Sequence, residues 1–492
     1  MTIPRPAAWL VWCACASVPV SAAAQDRTAA AWRDLTRADV DSAYAIIARN
    51  HPAAAPAAGD TGFRLALEKA AGTARSRARE VTSYDGWLAT LRAFASSFSD
   101  PHISLGTRLS LSSARWPGLV VGRQGPATVV VSRDSARAAE LPAVGARLVS
   151  CDGIDVERLS RERLGAFRGT WDIAAQRARN TPFLLVDDGN PFLPAIRRCG
   201  FKEGDAEREI ELRWRTIALT ALQDRLREAA PVGRAGFGVR RVGDGWWIGL
   251  QSLSDRAREV LDSVGAYASA IRAAPWVVVD VRGNGGGNST WGVRLANQLV
   301  GEDRVMTAMR RAERAMAGPL CGTSWRASPA VEETLEAYIR NQSPSSDQWR
   351  RDLDSVRAAR AAGRDLAPAP RPCPPAGQPA GETGSLPPPR MAGRLVLLTD
   401  RACFSSCLLL AGLFRLIGAV HVGEATDFST RYMEVRRFPL PSGLGTFATL
   451  QKVVFGAPAR LGPFDPDVPY DGRIDDTPAL EQWIAGVIAA RR

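Results

Sequence analysis

Residues 276–289 have the sequence WVVVDVRGNGGGNS, which predicts a buried β-strand followed by a glycine-rich turn. A continuous apolar run such as Trp276–Val281 is typical of a parallel strand that is covered on both faces. A second unit of this kind starts with Arg394–Thr399, passes through a turn at residues 400–406 and continues as the apolar helix Cys407–Ile417. Because the carboxyl ends of parallel strands meet at one edge of a sheet, we expect both turns on the same rim.

Ser405 lies in the second turn, where the predicted helix starts. Free N–H groups and the helix dipole favour a developing negative charge there, and the glycine-rich turn can expose further N–H groups. A serine hydroxyl beside two such donors suits acyl transfer. These residues alone leave other interpretations open. Ser405 could be an ordinary N-cap, and the glycines could form a structural turn or a nucleotide loop, although the pattern G-x-G-x-x-G is poorly met.

A serine nucleophile needs a base, and the chain offers few candidates. It has three histidines. His51 stands in an alanine- and proline-rich stretch and is predicted to lie in a surface loop, whereas His421 falls in a predicted strand and is expected to be structural. His102 lies in a loop beside Asp100, where functional groups are common. Lysine is scarce, and Lys452 is the only lysine that follows Ser405.

The composition indicates a globular protein of more than one domain. The chain has 492 residues, of which 46% are hydrophobic and 23% charged. The net charge of +12 comes almost entirely from arginines that are scattered among acidic residues, without a dense basic block. This pattern is typical of a solvated surface, and we therefore expect no nucleic-acid partner.

The N-terminus predicts an exported protein. Arg5 precedes the apolar run Ala7–Val20, and Ala22–Ala24 offers a cleavage site for a signal peptide of residues 1–24. The apolar run is too short to span a bilayer, and no later segment reaches the ~18 apolar residues of a membrane helix. We therefore expect a periplasmic or secreted protein without stable membrane insertion.

Six cysteines follow the predicted signal peptide, and an even number in an oxidising compartment favours disulfides. Sequence does not fix the pairing. Shared segments favour Cys151–Cys199, Cys321–Cys373 and Cys403–Cys407. No C-x-x-C motif is present, so we expect neither a metal site nor a cofactor.

The chain divides into regions of different pattern. Residues 27–98 are alanine-rich with helical spacing, and short β-runs punctuated by glycine and aspartate follow from Trp116 to about Ile217. Residues 306–390 combine polar helical stretches with a proline-rich run from Ala367 to Arg390. Because such a composition is not expected to pack a core, we expect a partly mobile surface insertion.

Several of these segments resemble one family. Residues 279–287, VDVRGNGGG, resemble the D-[LV]-R-x-N-x-G-G signature of the tail-specific proteases, a family that includes the C-terminal processing peptidases and the tricorn core. Residues 398–406, LTDRACFSS, resemble its nucleophile segment, and residues 422–426, VGEAT, its following strand and turn. Residues 99–102, SDPH, resemble the D-x-H loop of the tricorn-like branch, and residues 141–153 are similar to a PDZ segment.

The resemblance implies an α/β fold class with a helical N-terminal region, a PDZ-like β-rich module and an α/β peptidase core of the ClpP/crotonase-like kind. The implied divisions are a helical region with the histidine loop (25–112), the PDZ-like module (113–218), a first part of the core (219–305), the insertion (306–390) and a second part of the core (391–492).

The resemblance also implies roles for individual residues. Ser405 would be the nucleophile and His102 the base, with Gly286 and Ser406 donating N–H groups to the oxyanion and Gly285 and Gly287 binding substrate. The serine–lysine branch of the family expects a lysine near position 430, where this chain has Ser429-Thr430-Arg431.

The sequence departs from the family in places. Leu408 stands three residues after Ser405, where the family often has Glu, and Pro101 replaces the serine expected before His102. The Glu that orients the histidine has no clear counterpart, and we expect Asp465, with Asp467 as the alternative, to take its place.

These features predict an exported serine endopeptidase that acts on polypeptides and captures them by strand addition to the PDZ-like module. Two alternatives remain: a catalytically weak peptide-binding or scaffold protein on the same fold, and a serine esterase that cleaves no peptides. The sequence makes no prediction of oligomeric state.

Overall fold

A computed structural model describes residues 18–19, 27–107, 109–110, 113–315, 322–341, 346–370 and 385–490. The predicted cleavage site at Ala22–Ala24 lies outside these residues, as does the predicted pairing of Cys321 with Cys373. No helix within the described part of the chain combines the length and the apolar character that crossing a membrane requires.

The N-terminal region is helical, as its alanine-rich pattern predicted. Trp87 is buried at its centre, and the indole N–H donates to Asp39 at 2.8 Å. Each of the three helices begins at a residue whose side chain accepts a backbone N–H bond, which stabilises the first turn. The helices are α1 (Ala29–Asn50), α2 (Thr61–Ala78) and α3 (Tyr84–Ser96), and the strand β1 (Ser104–Thr107) follows.

The next region is rich in β-strands. Five strands form an antiparallel sheet in the order β7 (Ala206–Glu211), β6 (Arg198–Glu203), β5 (Arg147–Cys151), β4 (Ala127–Arg133) and β3 (Leu119–Gln124). Separately, β8 (Arg215–Ala218) pairs with β2 (Ser113–Trp116). The predicted disulfide Cys151–Cys199 is present and joins β5 to β6. The elements are β2 (Ser113–Trp116), β3 (Leu119–Gln124), β4 (Ala127–Arg133), β5 (Arg147–Cys151), α4 (Val156–Ser160), α5 (Ala174–Asn180), β6 (Arg198–Glu203), β7 (Ala206–Glu211), β8 (Arg215–Ala218) and α6 (Leu219–Ala229).

An α/β region then begins with an antiparallel hairpin and continues as alternating helices and strands. Its elements are β9 (Phe237–Val242), β10 (Gly245–Leu250), α7 (Ala257–Ala266), α8 (Ala268–Ala273), β11 (Trp276–Asp280) and α9 (Thr290–Val300).

The segment predicted to be a partly mobile insertion has a core of its own. Trp325 is 1% exposed and packs with Val331, Leu335, Leu353 and Val356 from two adjacent helices. The expectation that this composition could not form a core was therefore wrong for these residues, because their few apolar side chains recur at helical spacing. The elements are α10 (Glu302–Ala315), β12 (Gly322–Arg326), α11 (Pro329–Arg340), α12 (Ser346–Ala361) and β13 (Leu366–Ala367). Residues 371–384 of the proline-rich run lie outside the described residues.

The chain ends with further strands between two helices. The elements are β14 (Arg394–Thr399), α13 (Ser406–Leu416), β15 (Val420–Gly423), β16 (Ser429–Thr430), β17 (Tyr432–Pro439), β18 (Gly445–Phe455), β19 (Arg460–Leu461), β20 (Val468–Pro469) and α14 (Thr477–Ala490).

The central sheet has the order β9-β10-β11-β14-β15-β20, and its strands from β10 onward are parallel. Val277 and Val279 face helices α7, α9 and α13, whereas Val278 packs against α14. Alternate residues of a strand point to opposite faces, so a strand covered on both faces must be apolar throughout. The prediction of a parallel sheet from the apolar runs is confirmed.

A second sheet brings the histidine loop to the central one. Its order is β13-β12-β18-β1, with β17 also paired to β18. Ser104 in β1 pairs with Ala448 in β18, so the loop that ends at His102 is held just before this pairing. Phe447, Leu450 and Val453 of β18 pack against the N-terminal helices and anchor the sheet to them.

Candidate active site

The two predicted turns lie side by side. Strands β11 and β14 are parallel neighbours, with Asp280 opposite Leu398. Three bonds join the turns that follow them. The N–H of Gly283 donates to Asp400 at 3.0 Å, the N–H of Phe404 to the carbonyl of Asn284 at 3.2 Å, and the Ser406 hydroxyl to the carbonyl of Gly287 at 2.6 Å. The prediction of one shared rim is confirmed.

Asp400 organises the base of both turns. Its buried carboxylate accepts the N–H groups of Gly233, Gly283 and Ala402 at 2.9–3.0 Å. Burial raises the pKa of Asp400 to about 6, although these bonds favour its ionised form.

Ser405 has a backbone conformation that is rare for a residue with a side chain. Its φ is 58° and its ψ is −128°, and its side chain makes no capping bond to helix α13. A non-glycine residue in such a region costs on the order of 1–3 kcal/mol and persists where its surroundings enforce it. The predicted Cys403–Cys407 disulfide, with both residues buried, brackets Ser405. An ordinary N-cap would use its hydroxyl for the helix, so this conformation favours the nucleophile interpretation.

Gly286 packs directly on Ser405. Its φ is +101°, and a Cβ built at position 286 would lie 2.7 Å from Ser405 Cβ and 3.0 Å from Ser406 N. Only glycine permits this approach.

The N–H of Gly286 is already used. It donates to Asn284 Oδ1 at 2.9 Å, and Asn284 is itself buried and donates its Nδ2 to the carbonyl of Leu250 at 2.7 Å. Our assignment of Gly286 as an oxyanion donor is therefore not supported by the geometry, because a short side chain two residues earlier in the turn captures this N–H.

Gly287 presents its N–H on the side that faces Ser406. The Leu253 N–H donates to the Gly286 carbonyl at 2.9 Å, and the Asn288 N–H donates to the Leu253 carbonyl at 2.8 Å. Because the N–H and C=O of a trans peptide point in opposite directions, the N–H and C=O of Gly287 both point away from Leu253. The Gly287 carbonyl meets the Ser406 hydroxyl there. Among the described residues, no acceptor pairs with the N–H of Gly285, Gly287 or Ser406.

His102 lies against the residue that precedes the candidate nucleophile. Its ring centroid is 4.4 Å from that of Phe404, and its side chain is 9% exposed. The Nδ1 atom is 3.1 Å from Asp100 Oδ1, which also accepts the His102 backbone N–H at 2.9 Å. The structure has no direct hydrogen bond from Ser405 to His102 among its described contacts; such bonds commonly tighten only when substrate is bound.

Asp100, rather than Asp465, is the carboxylate at His102. Asp100 is buried, and its second oxygen accepts the Thr430 hydroxyl. Burial acts to raise the pKa of Asp100, but the bonds from His102 and Thr430 outweigh burial and lower the pKa below its ordinary value. Asp465 is exposed, and its charge acts on His421 instead. The geometry moves our assignment of the orienting carboxylate from Asp465 to Asp100.

The other candidate bases are engaged elsewhere. Lys452 Nζ lies 3.9 Å from an Asp352 oxygen and 4.8 Å from the centroid of the Trp325 ring. Both partners belong to the insertion, so Lys452 is engaged there. His51 is fully buried and stacks on Phe63 at 4.3 Å, which contradicts its predicted place in a surface loop. Its Nδ1 accepts the N–H of Ala53, so it caps the short turn after α1.

His421 is structural, as predicted. It is buried in β15, and its Nε2 is 2.7 Å from the Thr399 hydroxyl while its backbone N–H donates to Asp467 at 2.9 Å. Burial lowers the pKa of His421 to about 4.

This lowered pKa predicts a pH-dependent difference in stability. Between about pH 6.5 and pH 4 the unfolded chain protonates His421 while the folded chain does not, so the folded state loses stability as the pH falls. We expect the unfolding free energy of His421→Gln, relative to wild type, to rise by roughly 2–3 kcal/mol from pH 7.5 to pH 4.5 in urea titrations. The pH-dependent contributions of Asp400 and other groups to stability cancel in this difference, because both proteins contain these groups. A difference independent of pH would contradict the assignment.

Comparison with known proteins bears on the part of the chain that carries both turns. Residues 248–462 match the model of the family described as peptidase family S41. This region is an S41 peptidase domain. This match supports the resemblance of the sequence to the tail-specific proteases and, for this part of the chain, a serine-type peptidase.

The solved structures of mature CPAF agree on the fold. Mature CPAF matches with a TM-score of 0.55 at 14% identity, over 93% of this chain and 98% of that chain. Mature CPAF in complex with lactacystin matches with a TM-score of 0.52 at 14% identity, over 93% of this chain and 99% of that chain. The tricorn protease matches 93% of this chain and 36% of its own chain at 12% identity, with a TM-score of 0.35. A comparison of the sequence with curated proteins found no match.

Proposed function

We propose that the chain is an exported serine endopeptidase in which Ser405 is the nucleophile, His102 the base and Asp100 the orienting carboxylate. The observation that carries the proposal is Ser405 itself: a serine held at φ 58° against Gly286, with its neighbour Phe404 packed on the His102 ring. A residue kept in so rare a conformation, with its hydroxyl free of the helix, is typical of a functional site.

The geometry supports the following reaction. The His102 Nδ1–H donates to Asp100, which leaves Nε2 free to accept the Ser405 proton as Oγ attacks the scissile carbonyl carbon. The N–H groups of Gly287 and Ser406 stabilise the negative oxygen that forms. His102 then returns the proton to the departing amine, which leaves an ester on Ser405, and a water activated by His102 hydrolyses this ester.

Polypeptides are the proposed substrate class. The β-rich region, residues 113–218, is our PDZ-like module. Its edge strand β7 is largely exposed, with only Ile210 half-buried, which leaves backbone groups for an added strand. Export is supported by the signal-like N-terminus and by two disulfides, which persist in oxidising compartments.

A fluorophosphonate probe tests the nucleophile. We expect the full chain to be labelled, peptide mapping to place the adduct on Ser405, and Ser405→Ala to abolish labelling while its circular dichroism spectrum is unchanged. Ser289→Ala is the matched control, because Ser289 stands in the glycine turn without a side-chain capping bond. A folded wild-type chain that is not labelled would favour the scaffold alternative, and cleavage of esters without any cleavage of peptides would favour the esterase.

A further inference from the structure

We propose that the Ser406 hydroxyl is a positioning group that sets the distance between the two oxyanion donors. Ser406 would then act twice, through its backbone N–H on the substrate and through its side chain on the neighbouring turn. The inference rests on the proposed function, because it concerns how the same site is held in its working geometry.

Gly287 is fixed from one side by Leu253. The Leu253 backbone bonds to Gly286 and Asn288 on either side of it, and a Cβ at position 287 would meet the Leu253 carbonyl oxygen at 2.3 Å. Gly287 therefore cannot move toward Leu253. Its freedom lies in the opposite direction, toward the helix start where Ser406 stands.

The Ser406 hydroxyl restrains that movement. It donates to the Gly287 carbonyl at 2.6 Å, which is a short bond of normal geometry for a hydroxyl donor. The N–H and C=O of Gly287 point to the same side, so a restraint on the carbonyl also restrains the N–H. The second donor, the Ser406 N–H, belongs to the same residue as the restraining hydroxyl, so one hydrogen bond restrains the distance between the two donors.

The other links between the turns lie on the strand side of Ser405. Among the described contacts these are Gly283 with Asp400 and Phe404 with Asn284. Both precede Ser405 along its segment, whereas Ser406 follows it. Loss of the hydroxyl would leave the far ends of the two turns joined by no hydrogen bond, while the helix start and the Ser405 backbone keep their own contacts.

The bonding of Gly286 explains why the Ser406 side chain is needed to hold Gly287 in place. Its N–H is bound by Asn284, so the oxyanion depends on Gly287 at the exposed end of the turn. Removing one oxyanion donor costs about 10²–10³ in kcat. Displacing a donor without removing it should cost part of that factor.

The experiment compares Ser406→Ala, Ser406→Thr and the control Ser289→Ala in the full chain. We expect Ser406→Ala to lower kcat for a peptide substrate about 10- to 100-fold with KM nearly unchanged. Affinity for a peptide aldehyde, which forms a tetrahedral adduct, should fall by a similar factor, whereas affinity for an uncleaved peptide amide of the same sequence should not. Ser406→Thr keeps the hydroxyl and should restore most of kcat, and Ser289→Ala should match wild type.

Two results would overturn the inference while leaving the proposed function intact: a wild-type kcat in Ser406→Ala, or a Ser406→Thr variant as slow as Ser406→Ala. If Ser406→Ala fails to fold, Ser406→Cys, which keeps the volume and weakens the donor, takes its place under the same criteria. A wild-type chain with neither turnover nor labelling refutes the proposed function, and the inference with it.

Discussion

Replacement of His102 by alanine is expected to lower kcat by at least about 10⁴-fold, because the Ser405 proton then has no acceptor. His102 is the histidine that packs against the nucleophile segment, and its orientation is fixed by Asp100. Turnover of a fluorogenic peptide by the folded variant, compared with wild type at the same pH, measures the effect. Labelling of Ser405 by a fluorophosphonate should slow in parallel.

Lys452→Met is the matched control for this variant. Methionine is an unbranched side chain of similar length, and it removes the amine that lies 4.8 Å from the centroid of the Trp325 ring. We expect activity within about twofold of wild type, since Lys452 pairs with Asp352 in the insertion. Loss of activity in Lys452→Met together with full activity in His102→Ala would reverse the assignment of the base.

Replacement of Asp100 by asparagine is expected to lower kcat by about 10³–10⁴-fold with little change in KM. The asparagine can donate an N–H to His102 Nδ1, and this favours the tautomer whose Nε2 carries a proton and cannot accept another. The exchange keeps the size of the side chain, and the amide oxygen can still accept the Thr430 hydroxyl. The amide nitrogen that faces Nδ1 cannot accept the His102 backbone N–H, so the loop loses one hydrogen bond and some stability. Steady-state kinetics and circular dichroism together separate this effect from unfolding.

Asp465→Asn distinguishes the two candidate carboxylates. Asp465 is exposed and borders His421, so we expect activity within about twofold of wild type. If Asp465→Asn lost activity and Asp100→Asn kept it, the orienting role would return to Asp465, and the His102–Asp100 contact would be only structural.

Much of the candidate site can be predicted from local sequence. The apolar runs before each turn indicate parallel strands, and parallel strands bring their carboxyl ends together whatever else the chain does. These patterns place Ser405 and the glycine turn on one rim. The scarcity of lysine and the position of His102 in a loop beside Asp100 narrow the choice of base from sequence alone.

The two assignments that the geometry does not favour, Asp465 and Gly286, both came from the family pattern. The family places its orienting residue downstream of the serine, which favoured Asp465 over Asp100, although Asp100 stands only two residues before His102. The motif favoured Gly286 as a donor, but which N–H of a glycine run is free depends on the Asn284 side chain and the Leu253 backbone. Thr430 stands where a related branch of the family has lysine, and this position could have pointed to a residue of the site. Its contact with Asp100 spans 330 residues of sequence, so the sequence did not show which residue it meets.

Short-range patterns of apolar, glycine and serine residues were enough to predict the parallel sheet, the two neighbouring turns and the position of the candidate nucleophile within them. Shared segments also favoured two disulfide pairs that the structure contains, each within one region, although the sequence did not fix the pairing. The contact of Asp100 with His102, the pairing of the N–H groups in the glycine turn and the core of the insertion became visible only in the folded chain. The first two contacts each span only two residues, but distant segments hold the loops that form them, with Thr430 bonded to Asp100 and Leu253 bonded to the glycine turn. The insertion core depends on the packing of Trp325 against two helices, and a local pattern does not show that contact.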